Sequence, residues 1–164
     1  MEELIKILAK IEGSELCVVS KFERQINKLT LKNNLPDDLR YYLENYSSIV
    51  LFENAEYPIK IVGLSDFEKA NPVIVGEDVE DDISNNWYII ADDGNSQYIT
   101  IDLALERLGQ CYDSFWDRHG VVGEQAVVAK SFTELLERLC KAEGKSWYWT
   151  DPGFQSYGDA YDEQ

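Results

Sequence analysis

Asp117 and His119 flank Arg118 in the run Trp116-Asp117-Arg118-His119-Gly120, and an imidazole steadied by a carboxylate is a ready general base. A base needs a nucleophile to activate. Cys17, Cys111 and Cys140 fall on expected apolar faces, and the Gly-x-Ser-x-Gly elbow that exposes a serine is absent. His119, the one histidine, therefore reads first as a turn residue. Asp78, Glu80 and Asp82 alternate as the first ligands of a calcium loop do. Ile83, however, stands where that loop needs Gly, and Ile89 where it needs a bidentate Glu. Carboxylates combined with Trp87, Trp116, Trp147 and Trp149 would suit a glycosidase or a sugar platform. With 31 Asp and Glu in 164 residues, though, a pair ~5–10 Å apart arises by chance. The residues point to no catalytic centre, metal or cofactor.

Charge speaks more clearly. Fifteen Lys and Arg against 31 Asp and Glu give a net charge of −16, which repels nucleic-acid phosphates and anionic lipid. No Lys or Arg lies between Lys69 and Arg107, a stretch that holds Glu77, Asp78, Glu80, Asp81, Asp82, Asp92, Asp93, Asp102 and Glu106. Such a run is either a solvated, solubilising face or a surface complementary to a basic partner. Three cysteines without a C-x-x-C pair suggest neither a disulfide framework nor a zinc knuckle and fit a reducing cytoplasm. The N-terminus lacks a basic segment followed by an apolar stretch, and no segment approaches the ~20 apolar residues of a membrane span. A cytoplasmic location is expected.

The elements that carry these residues follow from periodicity. Leu4, Ile7, Leu8 and Ile11, with Ile5, recur at helical spacing until Gly13. Ser20-Lys21-Phe22-Glu23 has capping-box form and predicts a second helix with Phe22, Ile26 and Leu29 on its apolar face. Pro36, suited to the first helical position, opens a third helix over 36–46, with Asp37 and Asp38 near the positive end of its dipole. Short β-branched runs at 49–52, 59–62 and 73–75 then predict strands. Between them Ser65-Asp66-Phe67-Glu68 predicts one or two helical turns that Pro72 forbids to continue. Trp87–Ala91 and Tyr98–Ile101 flank Asp92-Asp93-Gly94-Asn95-Ser96, the strongest hairpin signal, and 111–116 and 126–129 add strands. Ser131 with Glu134 caps a last helix to about Ala142. Helices, then a meander, then a helix read as α+β.

In order and spacing, Leu35-Pro36-Asp37-Asp38-Leu39, the Asp92-Asp93-Gly94 turn, the aromatic strand Tyr112–Trp116 with Asp117, and Ser131-Phe132 resemble the SUKH superfamily of Smi/Knr-like domains. The resemblance spans about residues 20–140. It departs at Tyr46-Ser47-Ser48, where an Asn-Gly pair is usual, and at Asn95-Ser96, where further glycines are common. It implies a mixed, mostly antiparallel central sheet of about six strands packed by N- and C-terminal helices, no cofactor, and function through protein binding. One domain over 1–164 is expected, because two cores in a chain of this length would each be marginal. Residues 1–13 would add a helix and 145–164 an aromatic, acidic extension.

The resemblance further implies an immunity protein that binds and occludes a secreted toxin, with a basic nuclease as the natural target. The alternative is a regulatory scaffold with several endogenous partners, and a hydrolase using Asp117 and His119 stands third. Glu77, Asp78, Glu80, Asp81 and Asp82 are expected to share one sheet end with Asp92 and Asp93 as an acidic contact surface. Trp116, Asp117, Trp147, Trp149 and Tyr157 are the candidate rim and anchor residues, since buried aromatics dominate binding energy. The alternative for the tryptophans is core packing. Six aromatics in the last twenty residues must dock somewhere, given ~25 cal/mol per Å² of apolar surface.

Overall fold

In the computed structural model, which describes residues 1–22 and 35–162, seven strands lie side by side in chain order. They are β1 (Val18–Lys21), β2 (Tyr46–Leu51), β3 (Ile59–Val62), β4 (Trp87–Asp92), β5 (Gln97–Asp102), β6 (Cys111–Phe115) and β7 (Val127–Ala129). Every neighbouring pair is antiparallel. Among the described residues the sheet is thus wholly antiparallel rather than mixed, since strands adjacent in sequence are also adjacent in the sheet. Helices α1 (Glu2–Glu12), α2 (Asp37–Asn45), α3 (Ala70–Ile74) and α4 (Phe132–Ala142) complete the α+β fold.

Several sequence expectations fail for identifiable reasons. Ser20 and Lys21 belong to β1, paired with Ser48 and Tyr46, so the expected capping box does not open a helix there; residues 23–34 of that expectation lie outside the described residues. Val73-Ile74-Val75, expected as a strand, instead runs through α3 and its cap. Pro72 sits in the first turn of α3, where amides have no intrahelical partner, so it is compatible with the helix it was expected to end. Residues 64–66 form a turn, and Ser65 bonds the neighbouring Asp66 carboxylate instead of capping a helix. Pro36 likewise stands one place earlier than expected, as the N-cap of α2.

The apolar face of α1 buries Leu4, Ile7, Leu8 and Ile11; that of α4 buries Phe132, Leu135, Leu136 and Leu139. These helices meet each other, and α2 meets α4. Asp38 in α2 fixes the joint: its carboxylate accepts from the Thr133 amide (2.9 Å) and hydroxyl (2.8 Å) in the first turn of α4. Ser131 caps α4 as expected, with its Oγ accepting from the Glu134 amide at 3.1 Å. Glu134 reaches back to the Lys130 amide, one residue before the cap.

The C-terminal extension docks on its own chain. Val127 N–H donates to Gly158 O (2.9 Å), Tyr157 N–H to Val127 O (3.1 Å) and Ala160 N–H to Gln125 O (2.9 Å), so the tail covers the β7 edge. Trp149 and Ala160 join the core, and Tyr148 Oη donates to Val128 O. One segment thus covers the edge and shelters five of its six aromatics, Tyr157 remaining exposed.

Candidate functional site

A lattice of polar side chains runs across the sheet. Asp102, fully buried, accepts from Trp87 Nε1 (2.9 Å), Tyr112 Oη (3.0 Å), Arg107 Nε (2.8 Å) and the Ala104 amide (2.8 Å). Burial pushes its carboxyl up, and the bonds from Ala104, Arg107 and Trp87 pull against that shift. Thr100 and Ser114 share a hydroxyl bond at 2.7 Å, and Gln125 Nε2 donates to both Ser114 Oγ and Asp113 O.

This lattice holds the loop between β6 and β7. Arg118 pairs with buried Asp113, Gly120 N–H donates to Gln125 Oε1, and Gln125 N–H donates to Asp159 of the tail. His119 is buried, its Nε2 2.7 Å from Asn71 Oδ1, while Asn71 Nδ2 donates to Ser84 Oγ. Because the Asn71 amide nitrogen is committed to Ser84, its oxygen accepts, and Nε2 carries the imidazole proton. The ring lies edge-on to Trp87 at 5.6 Å. His119 is indeed a turn residue, and its bond goes to Asn71, whereas Asp117 lies 3.8 Å from Arg118. The geometry for a carboxylate-steadied base is not assembled. Cys111 and Cys140 are held as thiols by burial, which pushes Cys140 up to about 11.

Burial lowers the His119 pKa to about 4, with Asp82 opposing the shift. The unfolded imidazole binds its proton near pH 6.5, so stability is fully present above that value. It is lost as pH falls toward 4, by about 3 kcal/mol in total. Urea unfolding at pH 7 and pH 4.5 will show a smaller acid loss in His119→Gln than in the wild type. Equal losses would contradict this.

The expected acidic surface divides. Loop 76–86 precedes β4 and the Asp93–Ser96 turn follows it, so at ~3.3 Å per residue the two lie about 17 Å apart, at opposite strand ends. The expectation that they share a sheet end is corrected. Glu77, Asp78, Glu80 and Asp81 are exposed, with Asp78 paired to Lys69 at 3.1 Å. Asp82 turns inward, accepting from the Ser84 amide and Tyr161 Oη, both at 2.8 Å. Burial opposes its charge, but these bonds outweigh it and lower the pKa. Asp92 and Asp93 build the hairpin turn, accepting from the amides of Gly94 (2.6 Å) and of Asn95 (2.7 Å) and Gln97 (3.1 Å).

The pairing of Gln97 with Phe115 brings that turn beside Trp116 and Asp117, both exposed. Trp147 and Trp149 stack at 6.3 Å, and each meets Phe115 edge-on, so they hold the tail in place. Tyr157 is half exposed; its hydroxyl donates to Glu134 and accepts from Arg138, both at 2.6 Å. Sequence reasoning passed over Val121 and Val122, which the loop exposes; two valines between Gly120 and Gly123 were the available signal.

The fold and this surface define an α+β protein whose loops, braced from beneath, present acidic and apolar side chains. The SMI1 / KNR4 family (SUKH-1) profile matches residues 19–138, close to the 20–140 span of the resemblance. A protein of Bacillus subtilis (strain 168) named Immunity protein YokJ is 54% identical over 131 residues, covering 80% of this chain and 79% of its own. The chain belongs to the SMI1/KNR4 (SUKH-1) family.

Proposed function

We propose that the chain is an immunity protein that binds a cognate protein toxin and silences it by occlusion, with no bond made or broken on its own surface. The observation that carries this reading is the 54% identity to a protein named for immunity. The net charge of −16 supports a basic target, and nucleases carry basic grooves for phosphates. Action in the cytoplasm fits three free cysteines, and no helix among the described residues is long and apolar enough to cross a membrane.

Co-expression with the product of the neighbouring open reading frame tests the reading: growth is rescued by this chain and abolished without it. Failure to rescue would overturn it. The charge component has its own test. Replacing Glu77, Glu80 and Asp81 by Lys leaves the inward-turned Asp82 in place and is expected to slow association with that product at least ~10-fold at low salt. An unchanged rate would remove loop 76–86 from the encounter.

A further inference from the structure

Trp116 is 66% exposed, Val121 44% and Val122 72%, all within one seven-residue stretch of the β6–β7 loop. Large apolar side chains in water are unfavourable, and grouping them in one loop marks a contact surface more than a scattered surface residue would. The underside of the same loop is tied down. Arg118 bonds Asp113, His119 bonds Asn71, the Gly120 amide bonds Gln125, and Gln125 bonds the sheet and the tail. Arg118, Gln125 and His119 Nε2 find partners beneath the loop, with His119 Nδ1 left buried without one, while Trp116, Val121 and Val122 face out, so the loop is braced without a partner. Preorganisation of this kind removes the ordering cost of binding.

Its position adds charge. Trp116 lies beside the Asp92–Asp93 turn through the Gln97–Phe115 pairing. His119 is fixed to Asn71 and through it to Ser84, in the loop 76–86 that carries exposed Glu77, Glu80 and Asp81. The loop therefore bridges the two acidic groups that β4 separates, and its own exposed charges include Asp117 and Glu124. Its one cation, Arg118, is engaged by Asp113 and Asp117.

Resting on the immunity reading, we infer that loop 116–124 is the central contact of the toxin complex. Trp116 and Val122 enter an apolar depression on the toxin that is ringed by Lys and Arg, and the flanking carboxylates form the rim. An apolar centre inside a charged rim is how strong protein interfaces are built.

The test uses the full chain and the purified toxin domain encoded by the neighbouring gene. Trp116→Ala and Val122→Glu are expected to weaken its Kd at least ~30-fold with an unchanged melting temperature, since both side chains are exposed. Leu16→Ala, equally exposed at 61% on the far edge of the sheet, is expected to bind as the wild type does. Hydrogen exchange of the wild-type complex should slow across 116–124. Wild-type binding with both loop variants within twofold of it would overturn the loop assignment alone. Absence of wild-type binding would overturn the immunity reading and the loop assignment together.

Discussion

Asp102→Ala will lower stability by roughly 3–5 kcal/mol, because removing one partner of a buried ion pair leaves the other uncompensated. Arg107 Nε, Trp87 Nε1 and Tyr112 Oη all converge on Asp102 Oδ2, and the Ala104 amide takes the other oxygen. Without the carboxylate, the buried Trp87 Nε1 keeps no acceptor, at a cost of about 1–3 kcal/mol, and Tyr112 Oη keeps only its longer bond to Gln110 Oε1 (3.3 Å). Equilibrium urea unfolding should show a lower midpoint with an unchanged slope. A loss under ~1 kcal/mol would mean that other groups or water replace the carboxylate.

The second large effect is Trp149→Ala, expected to cost about 3–5 kcal/mol as a core aromatic truncation. Trp149 is 7% exposed and touches Phe115, Trp147 and Tyr148, so its ring joins the tail to β6. Its loss also loosens the segment that covers β7, so the variant should self-associate as the edge is released. Trp149→Phe separates ring from polar group: the indole N–H has no acceptor among the described residues, and Phe removes it while keeping most of the packing. Thermal melts should rank wild type and Trp149→Phe together, well above Trp149→Ala. Equal melting temperatures for all three would contradict core docking of the tail.

Much of this architecture was legible because it rests on local rules. Leu4, Ile7, Leu8 and Ile11 write the α1 face directly, and Ser131 with Glu134 writes the start of α4. The Asp93-Gly94 turn sets the β4–β5 register, with Gly94 at φ 82°. What stayed hidden depends on long-range packing. The Val73–Val75 run has β-branched chemistry, yet Asn71 must meet Ser84 and His119, and that buried contact is made from a helical turn. β-propensity yields to such tertiary context. The two acidic groups are near in sequence, but spacing alone does not say at which end of a strand each falls. Val121 and Val122 read as ordinary loop residues until the burial of His119 and Gln125 beneath them shows which side faces out.

These pieces fit one mode of action. The sheet supplies a rigid floor and the buried polar lattice fixes the loop above it; in the proposed function the acidic groups on either side supply the field that draws in a basic partner. In the proposed function no residue turns over; the complex itself is the inhibited state. The most direct measurement is a titration of purified toxin activity with this protein, followed by the intact mass of the toxin. Activity should fall in proportion to added protein and vanish at one equivalent, with the toxin mass unchanged and activity returning on separation. Complete loss at a small fraction of an equivalent, or a toxin of altered mass, would show that the protein destroys or modifies its target and would contradict occlusion.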